Sequence, residues 1–282
     1  WAFFSGAAVL LLIAIPFYFL QRERPRDVGL VEIEEYHGEP TTVVDARDAP
    51  DEEKEGSWEL IGKVFRSPPV LVMALVYFLL KPARYAILFW GPVIASQRLA
   101  SDSFALAATA PAAFEAAGLI APIVIGFVSD KLFQARRFPA CLISLLLLSI
   151  VLLLFGPLTS SGSTWGMLVA FFLIGLFLYG PDSMLSATAA VDFGTKKGAG
   201  SAAGFINGCG SFGQVLGVAL PGYLMAWFPG ADTTVILFYG FSAAALVASL
   251  LLIPLWSRVP PSGRALSEEG VGIHRATGPN EK

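Results

Sequence analysis

Long apolar stretches separated by short polar segments dominate the chain. Seven of them have about 20 residues or more, the length that an α-helix needs to cross a bilayer. They lie near residues 1–20, 69–98, 103–129, 138–157, 164–190, 198–227 and 233–256. The pattern therefore predicts an all-α polytopic membrane protein with seven spanning helices.

Composition agrees with a membrane protein and argues against several other classes. Of the 282 residues, 55% are hydrophobic and 15% are charged, and the mean hydropathy is +0.66. Cys141 and Cys209 lie far apart in apolar or glycine-rich stretches, and both histidines lie in polar segments. A disulfide framework, a zinc site and a Cys/His catalytic pair are therefore disfavoured. We expect no enzymatic activity, no cofactor or metal, and no nucleic-acid partner.

Three further segments complete the predicted domain organisation. Residues 21–67 are polar and acidic, with too few apolar residues for a core, so they predict a central linker. Residues 68–256 hold six of the predicted helices, and residues 257–282 form a polar tail. Residues 1–20 lack a basic segment and a cleavage site and therefore predict a membrane helix rather than a signal peptide. Because the chain opens inside an apolar span, we expect it to be the later part of a longer protein.

The positions of the basic residues predict the orientation. Lysines and arginines concentrate in the linker, at 131–137, at 196–197 and after residue 257, whereas the intervening loops carry almost none apart from Arg98. By the positive-inside rule, the linker and the C-terminal tail face the cytoplasm. In a bacterium, the membrane is then the inner membrane.

Two cations, Lys81 and Arg84, lie inside the apolar stretch 69–98. A cation at the middle of a membrane helix costs about 2.5–3.5 kcal/mol, so it usually faces protein or a watery cavity. The two share one helix face, which Tyr77 extends, and Pro82 between them favours a kink. Such a face suits a phosphate or a carboxylate, which a guanidinium can bind through two hydrogen bonds. The alternative is that both cations pair with carboxylates elsewhere in the bundle.

Other polar residues within the apolar stretches are weaker candidates. Glu115 lies near the middle of its predicted span and needs a partner or water. The glycine-rich stretch 198–217 predicts close helix packing, and within it Asn207 and Gln214 suit either a pore lining or interhelical hydrogen bonds. Asp182 fits either a gate or the hydrated end of a helix.

A short turn between two apolar stretches carries glycine, acid and base at fixed spacing, in the residues Gly126, Asp130, Lys131, Arg136 and Arg137. It resembles the G-x-x-x-D-(R/K)-x-x-x-R-R motif of the major facilitator superfamily, with one extra residue before the arginine pair. The resemblance implies a conformational latch, in which the acid meets a helix N-terminus or a basic group of the other half. Positive-inside anchoring alone explains the three basic residues, but neither Asp130 nor Gly126.

Within that superfamily, the chain resembles the organophosphate:phosphate antiporter family. Four stretches carry the resemblance: residues 26–36, 84–90, 114–131 and 179–205. The resemblance implies that the chain is the sixth helix, the central loop and the C-terminal six-helix half of a twelve-helix fold. Its partners would then be the lipid bilayer and the missing N-terminal half of the same transporter.

The resemblance also implies roles for single residues. Arg84 matches one member of a pair of phosphate-binding arginines, one from each half, and Tyr85 follows it within the same motif. Glu115 matches a carboxylate that pairs with basic site residues as substrate moves, and Tyr179 matches a site tyrosine. Lys81 stands where glycerol-3-phosphate transporters have a tyrosine, which argues against glycerol 3-phosphate itself as the substrate.

Together these features predict a carrier that exchanges a small phosphorylated metabolite for inorganic phosphate by alternating access. We expect the substrate-binding residues to be Tyr77, Lys81, Arg84, Tyr85, Glu115, Tyr179 and Asn207. Two alternatives stay open: a non-transporting membrane receptor for sugar phosphates with the same fold, and a carrier of a carboxylate anion.

Overall fold

The computed structural model describes residues 2–22, 25–31, 62, 65–99, 104–134, 136–188, 199–229 and 232–258. Within these ranges the regular structure is helical and no strand is present, which confirms the predicted all-α class. Most of the predicted linker and nearly all of the predicted tail lie outside the described residues, so their boundaries stay predictions. The chain divides into two units, Trp1–Glu55 and Gly56–Lys282.

The first unit contains one long helix, α1, at Ala2–Leu20. Its residues are almost all apolar, with no charged residue, and Pro16 lies inside it. A 3₁₀ turn follows at Pro25–Val28.

The second unit contains eight α-helices in its described part. They are α2 (Pro68–Arg98), α3 (Phe104–Thr109), α4 (Ala112–Leu132), α5 (Arg137–Leu153), α6 (Phe155–Thr159), α7 (Thr164–Ser183), α8 (Ala199–Trp227) and α9 (Thr233–Leu251). Helix α7 continues into a π-helical turn at Met184–Thr188, and a 3₁₀ turn at Ile253–Leu255 follows α9.

Five described helical segments are long and apolar enough to cross a membrane. They are Pro68–Arg98, Ala105–Leu132, Thr164–Ala187, Ala199–Trp227 and Thr233–Leu255. The other two predicted spans contain the shorter apolar helices Phe4–Leu20 and Arg137–Leu153. The sequence predicts one continuous helix at 138–157, whereas the structure has two helices there, α5 and α6. The chain makes a turn at Leu154 between them.

The helices of the second unit pack in a defined order. The most extensive contacts join α8 to α2 and α4 to α7, followed by α9 with α5, α5 with α7 and α2 with α9. Between α5 and α9, Ser149 Oγ donates to the Ser242 carbonyl at 2.9 Å, and Ser242 Oγ donates to the Ser149 carbonyl at 2.7 Å. These reciprocal bonds satisfy both buried hydroxyls without water.

Glycines let the backbones of α2 and α8 touch. A Cβ atom at Gly213 would lie 2.2 Å from the Phe78 carbonyl oxygen, and one at Gly217 would lie 2.2 Å from the Pro82 carbonyl oxygen. Only residues without a side chain allow this approach, which confirms the predicted packing role for these two glycines. Gly204 has no atom within 4 Å of its Cβ position, so the role does not extend along the whole glycine-rich stretch.

Candidate anion-binding site

An ion pair between α2 and α7 forms the centre of the candidate site. Arg84 Nη1 donates to Asp182 Oδ2 at 2.7 Å. The side chain of Asp182 is 10% exposed and that of Arg84 is 26% exposed, so the arginine is the more accessible partner. Arg84 Nε and Asp182 Oδ1 are both buried without a hydrogen-bond partner. The pair therefore uses a single hydrogen bond and leaves polar capacity on each side unsatisfied.

Lys81 lies one turn before Arg84 on the same helix and is buried. Its Nζ atom lies 4.8 Å from the ring centroid of Tyr77 and 5.3 Å from that of Tyr85, within the range of cation–π attraction. A Cβ atom at Gly210 of α8 would lie 2.4 Å from the Tyr77 ring and 3.0 Å from Lys81 Cγ. The small residue on α8 thus leaves the space that these two side chains occupy.

Tyr179 connects the ion pair to α4. Its hydroxyl donates to Glu115 Oε1 at 2.8 Å, and the guanidinium carbon of Arg84 lies 4.7 Å from its ring centroid. A Cβ atom at Gly118 would lie 3.0 Å from the same ring, so the glycine admits the tyrosine between the helices. Glu115, Tyr179, Arg84 and Asp182 form one connected polar chain through α4, α7 and α2.

The structure brings most of the predicted substrate-binding residues together. The connected members are Tyr77, Lys81, Arg84 and Tyr85 on α2, Glu115 on α4 and Tyr179 on α7. Asn207 is exposed on α8, and its Nδ2 donates to the Ala203 carbonyl of its own helix at 3.0 Å, which ties it to its own helix rather than to this cluster.

The position of Glu115 within its helix differs from the expectation. It lies in the first turn of α4 and is exposed, rather than at the middle of an unbroken span. The reason is a break between α3 and α4, where Pro111 lacks the backbone N–H needed to continue the helix.

The predicted latch residues lie at the turn between α4 and α5. Asp130 Oδ1 accepts a hydrogen bond from Arg137 Nη1 at 2.6 Å, and Arg137 is the first residue of α5. Arg136 occupies the N-cap position of that helix without a capping hydrogen bond from its side chain, and it is half-buried, while Lys131 is exposed. A Cβ atom at Gly126 would meet no described atom within 4 Å, so its lack of a side chain has no explanation within the described residues. The acid thus pairs with a base of its own half.

Asp182 is the residue whose role the sequence left undecided. The pattern alone allowed a gate or a hydrated helix end, whereas the structure places it on Arg84. One alternative left open above was that the two cations pair with carboxylates of the bundle. This alternative holds for Arg84, but the ion pairs found among the described residues do not include Lys81. One feature of the sequence pointed to this site: Asp182 follows Tyr179 by three residues and therefore lies on the same helix face.

Comparison with known proteins identifies the family. A family model described as Major Facilitator Superfamily matches residues 1–211. The chain belongs to the Major Facilitator Superfamily. It is therefore an integral, multi-pass membrane protein. No group of three or more His, Cys, Asp or Glu side chains that could hold a metal ion occurs among the described residues of this superfamily member.

Several curated relatives fall in one group of the superfamily. The chain is 31% identical to the membrane sensor protein UhpC of Escherichia coli, over 91% of the chain and 56% of the relative. It is 28% identical to the glycerol-3-phosphate transporter of Haemophilus influenzae, over 80% of the chain and 48% of the relative. It is 26% identical to a probable hexose phosphate transport protein of Chlamydia pneumoniae, over 86% and 54%. These matches confirm the resemblance to the organophosphate:phosphate antiporter family. The chain spans about half the length of these relatives.

Proposed function

We propose that the full-length protein exchanges a small phosphorylated metabolite for inorganic phosphate across the membrane by alternating access. The observation that carries the proposal is Arg84, a partly exposed guanidinium within a helix that is long and apolar enough to cross the membrane. Relatives named as glycerol-3-phosphate and hexose phosphate transporters support a phosphorylated substrate.

The charges around Arg84 favour an anionic ligand. Where α2 meets α7, Arg84 pairs with Asp182, whereas Lys81 has no ion pair among the described residues. The other carboxylate of the site, that of Glu115, is bonded to the Tyr179 hydroxyl. A cation without an ion pair is costly in a bilayer unless a ligand or water compensates it. A guanidinium matches the geometry of a phosphate group and is only weakly hydrated, so phosphate is a ligand that this site suits.

Transport in this proposal needs no covalent chemistry. The anion binds Arg84 and, as the family resemblance implies, a second arginine from the other half of the carrier, and so favours the closed state. A ligand shifts such an equilibrium only through its different affinities for the two states. Tyr179, between Arg84 and Glu115, would transmit the change at the site to α4.

The test is exchange of labelled inorganic phosphate by the full-length protein in proteoliposomes that contain unlabelled phosphate or a sugar phosphate. We expect uptake to require the trapped anion and to disappear with Arg84→Ala. Arg84→Lys keeps the charge but loses the fork-shaped donor, so we expect it to impair exchange much more than Lys81→Arg.

Arg98→Ala is the matched control, because Arg98 is on the same helix and pairs with Asp232 at its far end. Exchange should persist in that variant. Full exchange by Arg84→Ala, or equal tolerance of Arg84→Lys and Lys81→Arg, would contradict the assignment.

The similarity to the sensor UhpC favours a second candidate, a receptor that binds sugar phosphates without transporting them. The same site would bind the ligand, and the signal would pass to a partner. Saturable binding of a sugar phosphate by the purified protein, together with no exchange in proteoliposomes, would support the receptor and exclude the carrier.

A further inference from the structure

Asp182 occupies part of the surface through which Arg84 would bind a phosphate. A guanidinium binds an anion through two parallel N–H groups, and Nη1 and Nη2 form its end-on pair. Nη1 already donates to Asp182, and Nε is buried. Asp182 therefore uses one N–H group of Nη1 and places a negative charge against the guanidinium. An anion that binds the same guanidinium is repelled by this carboxylate, and the repulsion is relieved when Asp182 moves away from Nη1.

Lys81 is a second cation that attracts the Asp182 carboxylate. The electrostatic interactions of that carboxylate include attraction to both Arg84 and Lys81. Lys81 is buried with its ammonium against the rings of Tyr77 and Tyr85, without an ion pair among the described residues. A buried carboxylate without a partner is strongly unfavourable, so the Lys81 ammonium would stabilise Asp182 once it leaves Arg84.

We propose that Asp182 is an internal competitor of the transported anion: an incoming phosphate takes Nη1 of Arg84, and the Asp182 carboxylate transfers to the Lys81 ammonium. This inference rests on the proposed function and adds a specificity rule to it. A monocarboxylate has no charge advantage over Asp182 at the guanidinium, whereas a phosphate carries more negative charge and more acceptor oxygens. The site therefore selects phosphorylated anions over monocarboxylates.

The competing interpretation is that Asp182 permanently holds Arg84 in place. The two interpretations predict opposite results for Asp182→Asn, which keeps the size of the side chain and one acceptor oxygen but removes its charge. A permanent support predicts weaker phosphate binding in that variant. An internal competitor predicts tighter binding, because the ligand no longer displaces a charge.

The first measurement is binding of labelled inorganic phosphate to the purified full-length protein. For Asp182→Asn we expect about tenfold tighter binding, as for loss of one weak competing ion pair. For Lys81→Gln we expect weaker binding, because a displaced Asp182 has no new partner. The double variant of Asp182→Asn and Lys81→Gln should bind phosphate at least as tightly as the unmodified protein. If Lys81 bound the phosphate directly, the double variant would not regain that affinity.

The second measurement does not depend on a ligand. Phenylglyoxal modifies arginine side chains, and mass spectrometry measures its rate of reaction at Arg84 in phosphate-free buffer. Asp182→Asn should increase that rate several-fold, because the guanidinium is no longer held. Asp232→Asn, in the ion pair with Arg98, is the matched control and should change neither phosphate binding nor labelling of Arg84.

Each result separates the inference from the proposed function. Unchanged or weaker phosphate binding by Asp182→Asn would overturn the inference. Phosphate binding by Lys81→Gln with the affinity of the unmodified protein would also overturn it. If even the unmodified protein does not bind phosphate or a sugar phosphate, the proposed function fails. In that case the labelling rate still decides whether Asp182 restrains Arg84, and equal rates would overturn that part as well.

Discussion

The contact between α2 and α8 has no room for a side chain at Gly213. The nearest atoms to a Cβ placed there belong to the backbone of Phe78, with the carbonyl oxygen at 2.2 Å and the carbonyl carbon at 3.0 Å. Backbone atoms within a helix cannot rotate away as a flexible side chain can. Gly213→Ala therefore forces the two helices apart.

The size of the effect follows from that distance. Ordinary contact begins at 3.4 Å, so the helices must separate by about 1 Å, in an interior packed as densely as a crystal. Overpacking of this kind typically costs about 1–3 kcal/mol. Alanine in place of glycine within a helix stabilises the folded state by about 1 kcal/mol, because alanine has the higher helix propensity.

Gly208→Ala is the matched control, because Gly208 lies on the same helix with no atom within 4 Å of its Cβ position. Gly208→Ala therefore has the higher helix propensity of alanine without the cost of overpacking. We therefore expect Gly213→Ala to be less stable than Gly208→Ala by about 1–3 kcal/mol, the overpacking cost alone. The apparent melting temperature of Gly213→Ala should therefore be lower than that of Gly208→Ala.

The assay is thermal unfolding of the purified full-length protein in detergent, with phosphate exchange measured on the same preparations. Because α2 carries Lys81 and Arg84, we also expect Gly213→Ala to reduce exchange. Equal melting temperatures for the two alanine variants would refute the reasoning.

The remaining predictions concern three hydrogen bonds. Tyr179→Phe removes the bond to Glu115 and should weaken phosphate binding by about 1 kcal/mol, measured by ligand titration, whereas full affinity would remove Tyr179 from the site. Asp130→Asn removes the charge partner of Arg137 and should slow exchange without changing the affinity for phosphate, and an altered affinity with an unchanged exchange rate would contradict a latch. Ser149→Ala loses a buried interhelical bond and should destabilise the fold by about 0.6 kcal/mol with no effect on phosphate affinity.

The sequence alone was enough for the helices and for the cations of the site. Apolar stretches of membrane length leave few alternatives to helices, because backbone groups in a bilayer must bond within their own segment. Lys81 and Arg84 stand out for a similar reason, since a cation within an apolar stretch is costly without a function or a partner. Their common face follows from helix periodicity alone.

Which groups meet depends on how the helices pack against one another. The sequence placed Asp182 near the end of a helix, but its contact with Arg84 depends on how α7 packs against α2, and that packing depends on many weak side-chain contacts rather than on a local pattern. The same holds for the glycines, since Gly213 contacts a backbone while Gly204, nine residues earlier in the same helix, faces open space. Local periodicity fixes the face on which a residue lies, whereas its partner is decided by the neighbouring helix.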